Sequence, residues 1–310
     1  MKTILITGVA GFIGYNLALK LIKKYKVIGI DNFNNSSSKR LKALRIKKLE
    51  SKNFSFFKKD ILDLNQKFDV DYVYHLAAVK LNDSKDNSRL IIKNNILTIY
   101  KLINLINKKN LKKIIFSSSL YVYGDFKKEK SEKSKCKPEN NYGKSKLRGE
   151  KIFIKKFYNL KKVDLTIFRI FFTFGNKQYS KNNGYPSVIY KNLYRLINNK
   201  RPIIYNDGNQ ILDYSHIDYV TNVLQTPIKI KMNGIYNLCS NNGISIYELI
   251  KKIKKLFLKS KKPIFMGRDN TKNTIKLGSN KKLKNKIKIV EKYSIFHNLK
   301  KIKNSLLYEK

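Results

Sequence analysis

Lys2-Thr3-Ile4-Leu5-Ile6-Thr7-Gly8-Val9-Ala10-Gly11-Phe12-Ile13-Gly14 opens the chain and decides its class. Residues 2–7 form a short apolar run of strand length. Glycines then recur every third position, and Leu17, Ala18, Leu21 and Ile22 follow at helical spacing. Strand, glycine turn and helix in this order suit a dinucleotide, because the glycines permit a tight turn, close approach of backbone N–H groups to a pyrophosphate, and tight helix packing. A glycine-rich turn without a ligand has the same spacing. Asp31, at the end of a second strand Val27–Ile30, weighs for the ligand. A carboxylate there accepts hydrogen bonds from the adenosine ribose and repels a 2′-phosphate, which favours NAD over NADP. Asn32 follows it rather than Arg, while Lys39 and Arg40 lie near enough to offer a phosphate a cation. Asp60-Ile61, after a third strand Phe54–Phe57, fits a cover for the adenine and equally an ordinary strand-end turn.

Working outward, Val70–Leu76 reads as a fourth strand and Lys113–Ser117 as a fifth. Ile96, Ile99, Leu102, Ile103 and Ile106 mark the helix between them. An amphipathic helix from Tyr142 to about Asn159 precedes a strand at Leu165–Phe171. Strands alternating with helices imply right-handed crossovers and an α/β, Rossmann-like, doubly wound parallel sheet. Beyond Gly175 the alternation fades into shorter pieces separated by turns at Asn182-Asn183-Gly184, Asn206-Asp207-Gly208 and Asn241-Asn242-Gly243. The expected organisation is a dinucleotide-binding domain over 1–174, with a return segment near 211–220, and a smaller C-terminal substrate-binding domain over 175–310.

Composition narrows the partners. The chain has 310 residues, 42% of them hydrophobic, which is too apolar for a disordered polyelectrolyte. Its 67 basic against 21 acidic residues give a net charge of +46 and invite a nucleic-acid reading. Only eight of the basic residues are Arg, and they are spread along the chain rather than gathered into an arm or stripe. No specific nucleic-acid partner is expected, only weak, salt-sensitive attraction to polyanions. Cys136 and Cys239 lie far apart with three histidines in the whole chain, so neither a disulfide scaffold nor a zinc site is expected, and no metal. The uncharged stretch Thr3–Leu19 is interrupted by Gly8, Gly11, Gly14 and Asn16 and is too short in apolar length for a membrane span. A soluble cytoplasmic protein is expected.

Two further groups carry chemistry. Tyr142 and Lys146, in Tyr142-Gly143-Lys144-Ser145-Lys146, are four apart and share a helix face. A phenol with an unperturbed pKa near ~10 is a poor base at neutral pH, but a neighbouring ammonium and a cationic nicotinamide stabilise its phenolate. The pair is a candidate proton shuttle; a packed tyrosine beside one more solvated lysine has the same spacing. Ser117-Ser118-Ser119 ends the fifth strand, at the sheet edge where ligands sit, and a hydroxyl there can hold a substrate oxygen or merely turn the chain.

Taken together these pieces resemble the extended short-chain dehydrogenase/reductases of the nucleotide-sugar epimerase/dehydratase family, over nearly the full length. The resemblance is carried by Thr7-Gly8-Val9-Ala10-Gly11-Phe12-Ile13-Gly14, Asp31, Asp60-Ile61, His75-Leu76-Ala77-Ala78, Asn95, Ser117-Ser118-Ser119, Val122-Tyr123-Gly124 and Tyr142 to Lys146. Later come Arg169 to Gly175, Asp207-Gly208-Asn209-Gln210, Asp213 to Asp218, and Arg268. The resemblance implies bound NAD, with Gly8, Gly11, Phe12, Ile13, Gly14, Asp31, Asn32, Asp60, Ile61, Leu76, Ala77, Ala78 and Asn95 around it and Lys80 beside the nicotinamide. It implies Ser119 on the reacting hydroxyl, Tyr142 as base and Lys146 on the nicotinamide ribose. It also implies a homodimer formed through the helices around Ile96–Ile106 and Tyr142–Asn159.

Departures from the family pattern sharpen the reaction. Its 4,6-dehydratases carry an Asp-Glu pair just after the catalytic hydroxyl, where this chain has Leu120-Tyr121, so elimination by that route is not expected. A 4-epimerase working through a transient 4-keto sugar, with a UDP-hexose as substrate, fits best; a 4-ketoreductase or dehydratase relative and a Rossmann-scaffold binding protein are the alternatives. On the substrate side, Phe172 stands where the family often has Asn, and Leu212 where it usually has an Arg that grips the diphosphate. Arg268 matches a second diphosphate contact, while Thr98-Ile99 replaces Gly-Thr and Gly278 replaces a common Asp.

Overall fold

The structure is a computed structural model that describes residues 1–34, 38–79, 88–124, 126–158, 160, 162–178, 187–258, 261–267, 274–288 and 294–308. Its main sheet uses β1 (Thr3–Thr7), β2 (Lys26–Ile30), β3 (Phe54–Phe57), β4 (Tyr72–His75), β5 (Lys113–Ser119), β6 (Asp164–Ile170), and, much later in the chain, β9 (Gly234–Leu238). The spatial order is β9-β6-β5-β4-β1-β2-β3, and every pairing is parallel. Order reverses beside β1, which places a crevice at the C-terminal ends of β1 and β4.

Both faces of this sheet are covered, which is why its strands are apolar on both sides. On one face Ile4 and Ile6 pack with Leu17, Ala18 and Leu21 of α1 (Phe12–Leu21) and with Val220, Val223 and Leu224 of α6 (Ile217–Lys229). On the other, Leu5, Val73 and Ile114 pack with Ile96, Ile99 and Leu102 of α3 (Ser88–Leu105) and Phe153 of α4 (Asn141–Phe153). Asn140 caps α4 by accepting from the Gly143 N–H at 2.7 Å. The α-helical part of α4 stops at Phe153 and passes into a π-turn, Ile154–Tyr158; Asn159, the expected helix end, lies outside the described residues.

The chain leaves the main sheet after β6 and builds a smaller one. In it β7 (Phe172–Phe174) pairs with β8 (Ile211–His216), which pairs in turn with β10 (Gly243–Ser245) and β11 (Ile275–Lys276). Its core gathers Phe174, Tyr214, Leu249, Ile250 and Leu299 with Ile189 and Leu193 of α5 (Val188–Ile197). Residues 211–216 therefore belong to the small sheet, and the return to the main one begins with α6 and runs through β9 to Leu238. Among the described residues no helix is long and apolar enough to cross a membrane, and no group of His, Cys, Asp and Glu is arranged to hold a metal ion.

Candidate active site

The glycine turn between β1 and α1 is packed to its limit. Gly8 has φ of 73°, and a Cβ on it would stand 2.8 Å from the Ala77 nitrogen. A Cβ on Gly14 would fall 2.3 Å from the Gly8 carbonyl oxygen, so the helix starts closer to the turn than a side chain allows. Gly11 caps α1 with no side-chain hydrogen bond. The first N–H groups of the helix, at Phe12 and Ile13, have no intrahelical acceptor and lie at a positive helix end just after β1, an arrangement suited to a pyrophosphate. These features fit NAD.

Asp31 lies at the far end of the same crevice, buried. One of its oxygens accepts the Ala10 N–H at 3.1 Å, and the other accepts the Phe33 N–H at 2.9 Å and faces Lys42 Nζ at 3.1 Å. Lys42 comes from α2 (Lys39–Lys47) and also donates to the Asn34 carbonyl at 2.8 Å. The cation beside Asp31 is therefore Lys42; Lys39 and Arg40 are exposed. One turn on, Arg45 is buried below the glycine turn, its guanidinium donating to the carbonyls of Ala10 at 2.9 Å and Lys177 at 2.7 Å. Asn32 and Asp60 hold each other through an amide–carboxylate bond of 2.6 Å, and Asp60 also caps the turn carrying buried Ile61.

The segment after β4 forms the opposite wall. Leu76 N–H donates to the Thr7 carbonyl at 3.2 Å and Ala77 N–H to the Thr7 hydroxyl at 3.3 Å, which draws Leu76-Ala77-Ala78 against the glycine turn. The Asn95 amide spans both backbone groups of Val79, at 2.8 and 3.1 Å, and donates to Ser145 Oγ at 2.9 Å. Asn95 thus ties that wall to α4. His75 is buried, with Nδ1 2.8 Å from the Thr7 hydroxyl; burial, and then the Lys146 charge, lower its pKa to about 3, so the ring is neutral.

At the end of β5 the catalytic candidates converge. Lys146 is buried and donates to the Ser117 carbonyl at 2.7 Å, with Nζ 5.7 Å from the centre of the Tyr142 ring. Ser119 caps the 3-10 turn Leu120–Tyr123, its Oγ accepting the Tyr121 N–H at 3.3 Å. The Tyr121 ring meets the Tyr142 ring edge-on, with centres 6.1 Å apart. Ser119, Tyr142 and Lys146 are thereby gathered at the C-terminal end of β5, two strands from the glycine turn at the end of β1.

A buried ion pair locks α4 in place. Glu150, eight residues beyond Tyr142, receives Arg169 of β6 through Nε at 3.0 Å and Nη2 at 2.8 Å. Ser118 Oγ donates to the same carboxylate at 2.5 Å, and Arg169 Nη1 donates to the Tyr123 hydroxyl at 3.1 Å, which donates to Asn237 at 2.6 Å. Burial pushes the Tyr123 phenol up to about 12 despite the guanidinium beside it.

Comparison with known proteins fits this geometry. Residues 4–239 match the model of the NAD dependent epimerase/dehydratase family. The chain belongs to that family. Membership makes it an NAD-dependent enzyme of the nucleotide-sugar epimerases and dehydratases. It is 31% identical over 82% of its length to the dTDP-D-glucose 4,6-dehydratase of Dictyostelium discoideum, and spans 62% of that relative. Among solved structures it resembles the UDP-N-acetylglucosamine 4-epimerase of Methanobrevibacter ruminantium, with a TM-score of 0.87 and 28% identity, covering 100% of this chain and 99% of that one. The Bacillus cereus UDP-glucuronic acid 4-epimerase, solved with UDP-glucuronic acid and NAD, gives a TM-score of 0.87 at 26% identity, covering 99% and 100%.

Of the positions that the resemblance assigns to the substrate, Phe172 and Leu212 fall on the small sheet. Phe172 and Leu212 both lie against the edge of the small core, Phe172 in register with Tyr214 and Leu212 with Ile244 and Lys276. Lys80 and Arg268 lie outside the described residues. The adjacent Asp213 is fully buried and accepts from Ser240, Asn241 and Gly278, so it fixes the loops around β8. Lys42, Arg45, Glu150 and Ser145 were not singled out from the sequence. Lys42 and Arg45 are three apart on one helix, and Glu150 extends the Tyr142–Lys146 face by one more step of four; in so lysine-rich a chain, those spacings were the available signal.

Proposed function

We propose that this chain is a 4-epimerase of UDP-sugars, working through a transient 4-keto sugar. One observation carries the reading: where the family's 4,6-dehydratases hold an acid and a base, Leu120 is buried and the Tyr121 phenol is pushed above its ordinary range by burial, so neither group ionises near neutrality. Oxidation and return at one carbon need only what remains. Ser119 holds the C4 hydroxyl and Tyr142, as phenolate, takes its proton. Lys146 favours that phenolate by its charge and orients the nicotinamide ribose. NAD, which the glycine turn and Asp31 would hold, would supply the hydride acceptor and donor for C4. Protonated Tyr142 gives the proton back to the keto oxygen after the sugar has turned over. Gly8, Gly11, Phe12, Ile13 and Gly14 hold the pyrophosphate, Asp31 with Asn32 the adenosine ribose, Asp60 and Ile61 the adenine side, and Leu76, Ala77 and Ala78 the nicotinamide side, with Asn95 positioning that wall. Phe172 and Leu212 border the sugar nucleotide.

The remaining assignments follow the same reading. Residues 1–171 with 217–238 carry the cofactor and the catalytic groups, and the small sheet, which begins with β7, completes the substrate side. Exposed Leu97 and Tyr100 on α3, with a groove lined by Ile92, Lys93, Ile96, Leu97 and Arg148, support a homodimer through α3 and α4. Two unpaired cysteines support a reducing, cytoplasmic setting. The test is incubation with UDP-glucose, UDP-glucuronate and UDP-N-acetylglucosamine without added nicotinamide, followed by NMR of the sugar. Interconversion to equilibrium is expected, and Tyr142→Phe should slow it by about 10²–10⁴ while retaining NAD. Stoichiometric consumption of NADH with a reduced product would refute the epimerase.

A further inference from the structure

Leu212 leaves β8 without the cation that the family usually sets there against the substrate diphosphate. The neighbouring strand carries one. β11 runs parallel to β8 with Lys276 in register with Leu212, and side chains of registered neighbours leave the same face of a sheet on strands about 4.8 Å apart. The other edge of β11 is fixed too: Ile275 N–H donates to the Phe126 carbonyl at 3.0 Å, and Lys130 N–H to the Leu277 carbonyl at 3.0 Å. From this anchored backbone Lys276 Nζ reaches to 5.4 Å from the centre of the Tyr121 ring, the ring that meets Tyr142 edge-on. Lys146 of α4, bonded to the Ser117 carbonyl, stands 5.7 Å from the Tyr142 ring centre, and Lys276 of the small sheet stands over the neighbouring Tyr121 ring.

We propose that Lys276 is a substrate-binding residue whose ammonium holds an anionic oxygen group of the nucleotide sugar, moving across one strand the charge that Leu212 lacks. The assignment rests on the UDP-sugar reading above. Leu212, packed at the edge of the small core beside Ile244, is free to be apolar because its registered neighbour supplies the charge. A lysine ammonium is a compact charge on a flexible stem, not a planar fork. It therefore serves an oxygen of the diphosphate or of a carboxylate on the sugar with equal ease, and the two sources separate by experiment.

The experiment is calorimetric titration of the full, NAD-loaded protein with UDP, UDP-glucose and UDP-glucuronate, in wild type, Lys276→Met and Lys276→Arg. Lys276→Met keeps the aliphatic stem over Tyr121 and removes the charge. Its Kd is expected to rise about tenfold to a hundredfold, the effect of losing one charge-assisted bond, with NAD content unchanged. A rise for all three ligands assigns the contact to the diphosphate; a rise for UDP-glucuronate alone assigns it to the sugar carboxylate; either supports the proposal. Lys276→Arg should bind within about threefold of wild type. Undiminished binding by Lys276→Met, or an equal loss in Lys276→Arg, overturns the role of Lys276. A wild type that binds none of the three ligands defeats the UDP-sugar reading and this inference with it.

Discussion

Arg169→Met tests whether the ion pair beneath α4 holds the catalytic helix in place. The pair is bidentate, at 3.0 and 2.8 Å, and its side chains are 4% and 2% exposed. Water therefore does not screen it, and removing the guanidinium leaves Glu150 with Ser118 as its remaining side-chain donor among the described bonds. Stranding one charge of a buried pair costs about 3–5 kcal/mol. Replacing both partners by apolar side chains removes the stranded charge, so Glu150→Met combined with Arg169→Met is expected to regain most of that loss. Urea denaturation at pH 8, followed by circular dichroism, measures Arg169→Met, Glu150→Met and the double variant against wild type. A loss below about 1 kcal/mol in Arg169→Met at pH 8, or a double variant weaker than either single one, would refute the reasoning.

Two other perturbations address the cofactor crevice. His75 titrates at about 3 when folded against an unperturbed value near ~6.5, so it contributes stability that is complete above ~6.5 and is lost as the pH falls toward 3. The full effect is about 5 kcal/mol, and His75→Asn should flatten the loss of stability between pH 6.5 and 4; urea midpoints with the same slope in both proteins would contradict this. Gly14→Ala places a methyl group 2.3 Å from the Gly8 carbonyl oxygen, and the turn must open to admit it. The variant is expected to purify with little or no NAD, and full cofactor content by absorbance would remove the argument from close packing.

Local chemistry explains which parts were legible in the sequence. Gly8, Gly11, Gly14 and Asp31 each depend on backbone clearance or on one short segment, so their spacing offers them as candidates, although a ligand-free turn shares it. Tyr142 and Lys146 sit on one helix face and are equally readable. Lys42 was not, because nothing local separates it from exposed Lys39 and Arg40; only the packing of α2 against the end of β2 brings it to Asp31. Arg169 was visible as part of a motif, but its partner Glu150 depends on the contact of two elements distant in sequence. The edge strand β9 escaped notice because it joins the main sheet from the far side of α6, in register with a strand some seventy residues earlier, Gly234 against Thr166. Lys276 is likewise a residue of register: its meaning arises only when β11 lies beside Leu212.

The path of α6 and β9 governs how the protein can be re-engineered. Because the chain re-enters the main sheet between β8 and β10, the small-sheet part, the proposed sugar side, consists of two separate segments, one from β7 to β8 and one beginning after β9. Specificity cannot be transplanted from a relative by exchanging a single C-terminal block. Such a chimera would import a foreign edge strand onto β6 and a foreign helix onto α1, whereas a two-insert graft would keep both seams native.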